Sequence, residues 1–286
     1  MSVNLLYAVT KNGETVHISE VQRGGACGCV CPACGDELIA RKGSEVKHHF
    51  AHTSNDRCEN GFTASVCLAF KRAIDRQGFL CLPAYMKNRS VVEGGSGVHV
   101  IIPESKIQVS GTAATKRAGA VTGLMTYFKA KPLIITVLTS YSTKKAHDPE
   151  KIKAIGIPVI EIDLSREKDI NDSLICDVLL GKTDLVYWIY NGKADGIWSQ
   201  TEAKCTRLGV SGEENAVFTM GCPIAGNRID GYRCYIKSKC AYCPFFFGMY
   251  GFGEERYLLC GRQNMICEAA DIKLTLAQRK EKYAKM

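Results

Sequence analysis

The chain has 286 residues, which is enough for one large domain or two to three small ones, and 46% of them are hydrophobic, so a packed core is available. The formal net charge of +8 favours an anionic partner, and nucleic acid is the first candidate. No apolar run approaches the length of a membrane span, and Met1 is not followed by a recognisable signal peptide, so a cytoplasmic protein is expected. In that compartment, 15 cysteines indicate metal binding rather than disulfide bonds.

The first predicted element is a β-hairpin. The segments Leu5–Thr10 and Thr15–Ser19 flank Asn12 and Gly13. An Asn-Gly pair is typical of a two-residue turn in which both residues have positive φ.

A Cys/His pattern follows the hairpin and predicts a metal site. Cys31 and Cys34 are separated by two residues, and so are His49 and His52. Thiolate and imidazole ligands in this spacing select zinc, and four protein ligands leave the ion no open position, so the role is structural. Cys58 could compete for the metal.

The middle of the chain reads as an α/β core. A helix is predicted over Thr63–Gln77, because Val66, Phe70 and Ile74 recur on one face and Gly78 suits its end. The predicted strands that follow are Leu80–Leu82, Val98–Ile102, Ile107–Ser110, Leu124–Phe128 and Leu133–Thr139. The last is nearly all apolar, which is typical of a central strand.

A β-α-β unit is predicted next. Asp148 and Pro149 suit the start of a helix and Gly156 its end, and a second buried strand follows at Pro158–Leu164. The two strands on either side of this helix are therefore expected to be parallel. A helix over Asn171–Leu180 and a strand over Leu185–Tyr190 complete the region.

From about Cys205 the chain is rich in cysteine, glycine and aromatic residues. Cys240 and Cys243 repeat the two-residue spacing, which predicts a second zinc site. Cys222 and Cys260 are the predicted remaining ligands, with Cys234 and Cys267 as competitors. The alternative is a set of buried cysteines that act as small hydrophobes. The predicted segments are 1–60 with the hairpin and first zinc module, 61–195 with the α/β core, and 196–286 with the second zinc module and a basic tail.

The stretch CPACGDELIARKG followed by HHFAH resembles the N-terminal zinc module of CoiA-like proteins, which are competence-associated predicted nucleases of the PD-(D/E)XK superfamily. The resemblance continues through Ile160–Ser165 and Trp188–Asn191 and covers nearly the whole chain. It implies a mixed sheet flanked by helices, with small zinc-binding modules at both ends of the chain. It also implies carboxylates on one helix and two strands that hold Mg²⁺ for phosphodiester cleavage.

The expected nuclease groups are missing from the aligned positions. Thr63 occupies the position of the helix glutamate, and Gly119 that of the strand aspartate. Thr136 occupies the position of the strand glutamate, and Leu138 that of the lysine or similar polar residue two positions later. These residues cannot hold Mg²⁺ as carboxylates do. The remaining groups of interest are Lys71, Glu161 and Asp163.

These observations predict a zinc-stabilised protein that binds nucleic acid, DNA rather than RNA, and has lost cleavage, in DNA uptake or in defence against mobile DNA. The candidate phosphate contacts are Lys71, Lys116, Arg117, Lys129, Lys131, Lys144 and Lys145. One alternative is an active nuclease with a rearranged site, in which Mg²⁺ would be needed. Another is a platform that binds a protein partner or a second copy of the chain.

Overall fold

The structure is a computed structural model that describes residues 5–45, 47–53, 58–88, 98–117, 120–142, 149–213, 216–224, 233–251 and 253–285. The chain divides into two units. The first contains Met1–Pro83 and Glu104–Gly192, and the second contains Ala84–Pro103 and Lys193–Met286. The N-terminal residues therefore group with the α/β core. The short segment Ala84–Pro103, which lies between two parts of the core in sequence, groups with the C-terminal residues.

Helices and strands follow one another along the chain in four groups. The first group is β1 (Tyr7–Thr10), β2 (Thr15–His17), β3 (Gly24–Val30), β4 (Glu37–Arg41) and β5 (His49–His52). The second is α1 (Gly61–Gln77), β6 (Phe79–Leu82), β7 (Tyr85–Asn88), β8 (Val98–Ile102) and β9 (Ser105–Gln108). The third is β10 (Ser110–Arg117), β11 (Ala120–Phe128), β12 (Lys131–Thr139), α2 (Pro149–Ile155), β13 (Val159–Leu164), α3 (Asp172–Leu179) and β14 (Val186–Tyr190). The fourth is α4 (Gly192–Lys204), β15 (Thr206–Gly209), β16 (Phe218–Thr219), β17 (Cys234–Tyr235), β18 (Phe246–Tyr250), β19 (Tyr257–Cys260) and α5 (Leu276–Lys282).

The N-terminal sheet has the strand order β2-β1-β3-β4-β5. The predicted hairpin is confirmed, because β1 pairs antiparallel with β2. Its turn differs from the prediction: Gly13 has φ 85° but Asn12 does not have positive φ. The amide of Thr10 donates to the carbonyl of Glu14 at 2.8 Å, so the loop has three residues, and such a loop needs only one left-handed position.

The main sheet of the first unit has the order β10-β11-β12-β13-β14. β10, β11 and β12 form an antiparallel meander, and β13 is parallel to β12 in a register that pairs Ile134 with Val159 and Thr139 with Leu164. The predicted parallel β-α-β unit is therefore confirmed, and the apolar strand β12 is central. Gly156, with φ 70°, ends α2 as expected, whereas the proposed cap Asp148 lies outside the described residues.

Helix α1 covers one face of this sheet, where it packs across β10, β11 and β12. Val66, Phe70 and Ile74 are all buried on its inner side. Burial of side chains of this size contributes roughly 1.5–3 kcal/mol each. Gly78 adopts φ 70° and its amide donates to the carbonyl of Ile74 at 2.8 Å, so the predicted C-terminal stop is confirmed.

Helix α3 joins the same core and begins where the sequence predicts. The side chain of Asn171 accepts a hydrogen bond from the amide of Leu174 at 3.0 Å, which satisfies a donor of the first helical turn. Ile175, Val178 and Leu179 are buried against α1 and the sheet. Within the described ranges, no helix combines the length and apolar character needed to span a membrane.

The second unit contains the three-stranded sheet β15-β19-β18 and the hairpin β7–β8. His99 on β8 is buried, and its ring stacks on Phe247 of β18 with the centroids 4.5 Å apart. Trp198 of α4 packs on the same pair. The hairpin of Ala84–Pro103 thus belongs to this unit because its inward side chains complete an aromatic core there.

The end of the second unit is held by one carboxylate. Asp271 is fully buried, and it accepts hydrogen bonds from the amides of Cys267 and Glu268 at 2.9 and 3.0 Å and from the Tyr283 hydroxyl at 2.8 Å. Lys282 on α5 pairs with it at 2.8 Å. Burial raises the pKa of Asp271, but the bonds from Lys282 and the other donors outweigh burial and hold the pKa below its ordinary value.

We expect Asp271→Asn to lower the free energy of unfolding of the second unit by about 3 kcal/mol, because it leaves buried donors facing a neutral amide. A carboxylate with a lowered pKa stabilises the folded state above its unfolded pKa of about 4, and that contribution disappears as the pH falls through the folded value. In urea titrations, the difference in the free energy of unfolding between Asp271→Asn and the wild type should therefore be smaller at pH 3 than at pH 7. Glu281→Gln, on the exposed side of α5, is the control, and equal losses in the two variants would contradict this role.

Candidate metal centre

The first two candidate ligands lie in a tight turn directly after β3. The amide of Gly35 donates to the carbonyl of Cys31 at 2.9 Å, and the amide of Cys31 donates to the carbonyl of Asp36 at 2.8 Å. Gly35 has φ 83°, a conformation that favours glycine. This turn brings the sulfurs of Cys31 and Cys34 to the same side, as the spacing predicts.

The other two candidates come from the end of β5 and from the residues just before α1. His52 is the last residue of β5, and the carbonyl of Cys58 accepts a bond from the amide of Gly61 at 3.3 Å. A Cβ atom on Gly61 would lie 3.3 Å from the Cys58 sulfur, 3.5 Å from the His52 ring and 3.6 Å from the Cys31 sulfur. Gly61, the first residue of α1, therefore packs directly against these candidate ligands, and a larger side chain at this position would be crowded.

Cys31, Cys34, His52 and Cys58 could together hold one metal ion. Their ligand atoms all lie within 4.8 Å of one another. The Cys31 and Cys58 sulfurs are 3.8 Å apart, and the Cys34 sulfur is 3.4 Å from Nε2 of His52. A tetrahedral ion with Zn–S bonds of about 2.3 Å has sulfur–sulfur edges of about 3.8 Å, so both the spacing and the three-sulfur, one-nitrogen donor set fit zinc.

The group differs from the predicted set in one member, because Cys58 stands where His49 was expected. His49 and His52 are three residues apart on a strand, and side chains on a strand alternate between its two faces, so these two cannot converge. His49 is buried instead, with Nδ1 2.8 Å from the carbonyl oxygen of Lys47. The strand pattern of HFAH is the sequence signal that would have selected Cys58 over His49.

Two thiols of this group, those of Cys34 and Cys58, have raised pKa values. Burial raises the pKa of Cys34, and the neighbouring Cys31 thiol adds to the rise, although the Asp36 amide opposes it. Burial and Cys31 also raise the pKa of Cys58. Because thiolates are the ligands, zinc would bind here with release of protons.

The C-terminal cysteines share one small core, in which Cys234, one of the competing candidate ligands, is in direct contact with Cys240. The sulfurs of Cys234 and Cys240 are 3.6 Å apart. Cys243 follows Cys240 in a turn closed by a 2.9 Å bond from its amide to the carbonyl of Cys240. Cys260 lies at the end of β19, opposite Phe246 and Thr206 in the three-stranded sheet.

The positions aligned with the nuclease site do not share one face of the main sheet. The hydroxyl of Thr63 on α1 is 2.7 Å from that of Thr139, so Thr139 faces α1. Alternation then puts Thr136 and Leu138 on the opposite face, where the Thr136 hydroxyl donates to the carbonyl of Ile160 at 3.2 Å. The structure therefore does not bring Thr63 together with Thr136 and Leu138. Gly119 lies outside the described residues.

The face of β12 and β13 that meets α1 has no carboxylate among the described residues. It consists of Leu133, Ile135, Val137, Thr139, Ile160, Ile162 and Leu164. A shift of the alignment by one residue along β12 would select Val137 and Thr139, which also lack a carboxylate.

Glu161 and Asp163 lie on the opposite face and have protein partners. Glu161 is buried and accepts hydrogen bonds from the hydroxyls of Tyr187 and, at 3.4 Å, Thr136. Burial raises the pKa of Tyr187, and Glu161 adds to the rise. Asp163 accepts a bond from the amide of Ser165 at 2.8 Å.

Among the candidate phosphate contacts that the structure describes, Lys71, Lys129 and Lys131 do not lie together around Thr63. Lys71 on α1 pairs with Asp75 at 2.7 Å. Lys129 and Lys131 are exposed at the turn between β11 and β12, and Lys131 is roughly 26 Å along the strand from Thr139. The side chains of Lys116 and Arg117, and all of Lys144 and Lys145, lie outside the described residues.

We expect Cys58→Ser to lose the N-terminal zinc ion and His49→Ala to retain it. Removal of one of four ligands weakens the site and unfolds the turns around it, because metal binding and local folding are coupled. Zinc content measured by mass spectrometry on protein purified without chelator tests this pair. Loss of zinc from His49→Ala with retention in Cys58→Ser would restore the HxxH assignment.

The comparisons with known proteins point to the same stretch. Residues 14–61 match the family model described as Competence protein CoiA, N-terminal domain. The match begins in the turn between β1 and β2, ends at the first residue of α1, and contains all four residues of the metal group. No curated protein and no solved structure matches the chain. Over residues 14–61, the chain is therefore similar to the N-terminal domain of competence protein CoiA.

Proposed function

We propose that this chain is a zinc-stabilised, CoiA-like protein with a nuclease-like fold that binds DNA and has lost metal-dependent cleavage. The observation that carries the proposal is the apolar and hydroxyl character of the sheet face beneath α1. Mg²⁺ needs oxygen ligands that bear charge, and threonine hydroxyls with aliphatic side chains do not supply them. A fold of this kind can keep its DNA-binding surface after it has lost the carboxylates that cleavage requires.

The fold is consistent with the proposal. The first unit has a mixed sheet in which an antiparallel meander is followed by a parallel strand, with α1 and α3 packed on it. A mixed sheet with helices packed on it supports the nuclease-like fold that the resemblance to PD-(D/E)XK nucleases implies.

Zinc in the N-terminal group would be structural. Four protein ligands leave the ion no position for water or substrate. The group joins the N-terminal sheet to the start of α1, so the ion would position the helix that covers the main sheet.

The turn between β11 and β12 is the best-supported contact for DNA. Lys129 and Ala130 have φ 47° and 61°, although neither is a glycine or an asparagine. Left-handed backbone costs such residues roughly 1–2 kcal/mol each, and strain of this kind is retained mainly at functional positions. Lys129 and Lys131 are both exposed there, and neither forms an ion pair with a described residue.

A rearranged nuclease site is the second candidate, favoured by one observation. Glu161 and Asp163 project from the same face of β13, as two ligands of a metal ion would. Their bonds from Tyr187, Thr136 and Ser165 support a structural role instead.

Incubation of labelled single- and double-stranded DNA with the protein in Mg²⁺ or Mn²⁺ distinguishes these functions. We expect the DNA to stay intact and to be retarded by the protein. The retardation should disappear as the salt concentration rises, because lysine–phosphate contacts release counterions from the DNA and added salt opposes that release. Cleavage that disappears in Glu161→Gln/Asp163→Asn would establish the rearranged site. If the DNA is neither cleaved nor retarded, a protein-binding platform is the surviving alternative.

We expect Lys129→Asn/Ala130→Gly to bind DNA more weakly while the protein becomes more stable. Asn-Gly adopts the left-handed turn with little strain, so the free energy of unfolding should rise by about 1 kcal/mol. The loss of one phosphate contact should reduce the slope of log affinity against log salt by about 1, and the addition of Lys131→Ala by about 1 more.

The matched control is Lys153→Ala/Lys182→Ala, which removes two lysines that are already paired with Glu150 and Asp177 at 3.2 Å. Its salt slope should equal that of the wild type. An unchanged slope in the turn variants, measured alongside their increased stability, would show that this turn does not contact DNA.

A further inference from the structure

The C-terminal unit contains a second concentration of sulfur. Cys234, Cys240 and Cys260 are buried in one small core, and Cys222, Cys243 and Cys267 pack against it. A buried cysteine by itself is an ordinary small hydrophobe, but six in one core are more than packing requires. Two of the sulfurs, those of Cys234 and Cys240, are 3.6 Å apart. This is close to the 3.8 Å that separates the Cys31 and Cys58 sulfurs in the N-terminal group.

Two more thiols belong with this pair. Thr219 of β16 is in register with Cys234 of β17, and Cys222 follows three residues after Thr219. Burial raises the pKa of Cys234, and its surroundings include the thiols of Cys240, Cys222 and Cys243. Burial likewise raises the pKa of Cys240, and the thiols of Cys234, Cys222 and Cys243 add to the rise. Cys222 and Cys243 also pack against the small core in which the close pair is buried.

Cys260 is less well placed than Cys234. Its backbone pairs within the three-stranded sheet, and its pKa is raised by burial and then by Cys243 and Cys222, while an Arg262 amide bond lowers it. Cys234 instead has a direct sulfur–sulfur contact with Cys240. This contact favours Cys234 over Cys260 as the ligand that accompanies Cys240.

The local backbone has few other means of support. β16 and β17 have two residues each and share only two register pairs. Met220, Ile224 and Tyr242 in the same region are exposed, whereas Val217, Ile236 and Phe245 are buried around the thiols. A small core with such short strands is typically stabilised further by a metal ion or by disulfide bonds.

We propose that Cys222, Cys234, Cys240 and Cys243 bind a second zinc ion through four thiolates. Four thiols lose their protons to solvent as Zn²⁺ binds, which leaves a net charge of −2 on the centre. Arg233, Lys237 and Lys239 lie next to the ligands in sequence and offset that charge. With four protein ligands, the ion is structural and crosslinks β16, β17 and the turn at Cys240–Tyr242.

The zinc content of the full chain, purified without chelator, tests the proposal. We expect two zinc ions per wild-type chain, one in Cys34→Ser, one in Cys240→Ser, and none in the double variant. For the ligand set, Cys234→Ser should retain one ion and Cys260→Ser two. A wild-type content of one, lost completely in Cys34→Ser, would overturn the second site. Loss in Cys260→Ser with two ions in Cys234→Ser would overturn the assignment of Cys234.

A second measurement on the unaltered chain does not depend on variants that fold. The thiols are alkylated before and after a strong chelator removes metal, and the modified peptides are identified by mass spectrometry. We expect Cys222 and Cys243, which are only partly buried, to be protected until the chelator is added. Cys176, which is exposed, is the control and should react at once.

Two results of that measurement would contradict the proposal. Reactivity of Cys222 and Cys243 that the chelator does not change would mean that no metal protects them. A Cys234–Cys240 disulfide, recognised as a peptide that is alkylated only after reduction, would mean that the close sulfurs are a redox pair instead. Both outcomes are independent of whether the chain binds DNA.

Discussion

Three parts of the first unit meet at a single point, where Cys31 and Cys34 follow β3, His52 ends β5 and Cys58 precedes α1. A zinc ion bound there would hold the N-terminal sheet against the helix that covers the main sheet. One buried hydrogen bond, from the amide of Tyr7 to the Ser65 hydroxyl at 2.9 Å, makes the same connection farther along α1. The position of α1, and with it the environment of Thr63, therefore depends on this junction.

The alternation of side chains along β12 and β13 decides what α1 can form with the sheet. Thr139 of β12 faces the helix, and its hydroxyl is hydrogen-bonded to that of Thr63. Glu161 and Asp163 are carried to the far face by the same alternation. The carboxylates of Glu161 and Asp163 are thus separated from α1 by the sheet itself. Lys129 and Lys131 lie exposed at the turn between β11 and β12.

Much of the fold could be predicted from local patterns. Gly78 and Gly156 end α1 and α2, Asn171 caps α3, and the apolar run of β12 becomes the central strand, because capping, left-handed φ and burial act within a few residues. The choice between His49 and Cys58 was different. It required knowing that the HFAH segment is a strand, on which residues three apart diverge, and that the start of α1 folds back onto the Cys31 turn.

The sequence alone predicted cysteines that could hold a metal ion, a parallel β-α-β unit and a resemblance to the CoiA N-terminal domain, because each depends on residue types at short, regular spacing. Only the tertiary structure decided which distant residues share a point or a face. In the structure, Cys58 rather than His49 lies with the other candidate metal ligands, and the Cys234 sulfur contacts that of Cys240. Residues Ala84–Pro103 group with the C-terminal unit, and Thr63 lies on the other side of the main sheet from Thr136. Such contacts arise from strand register and packing between segments far apart in the chain, and no local pattern specifies them.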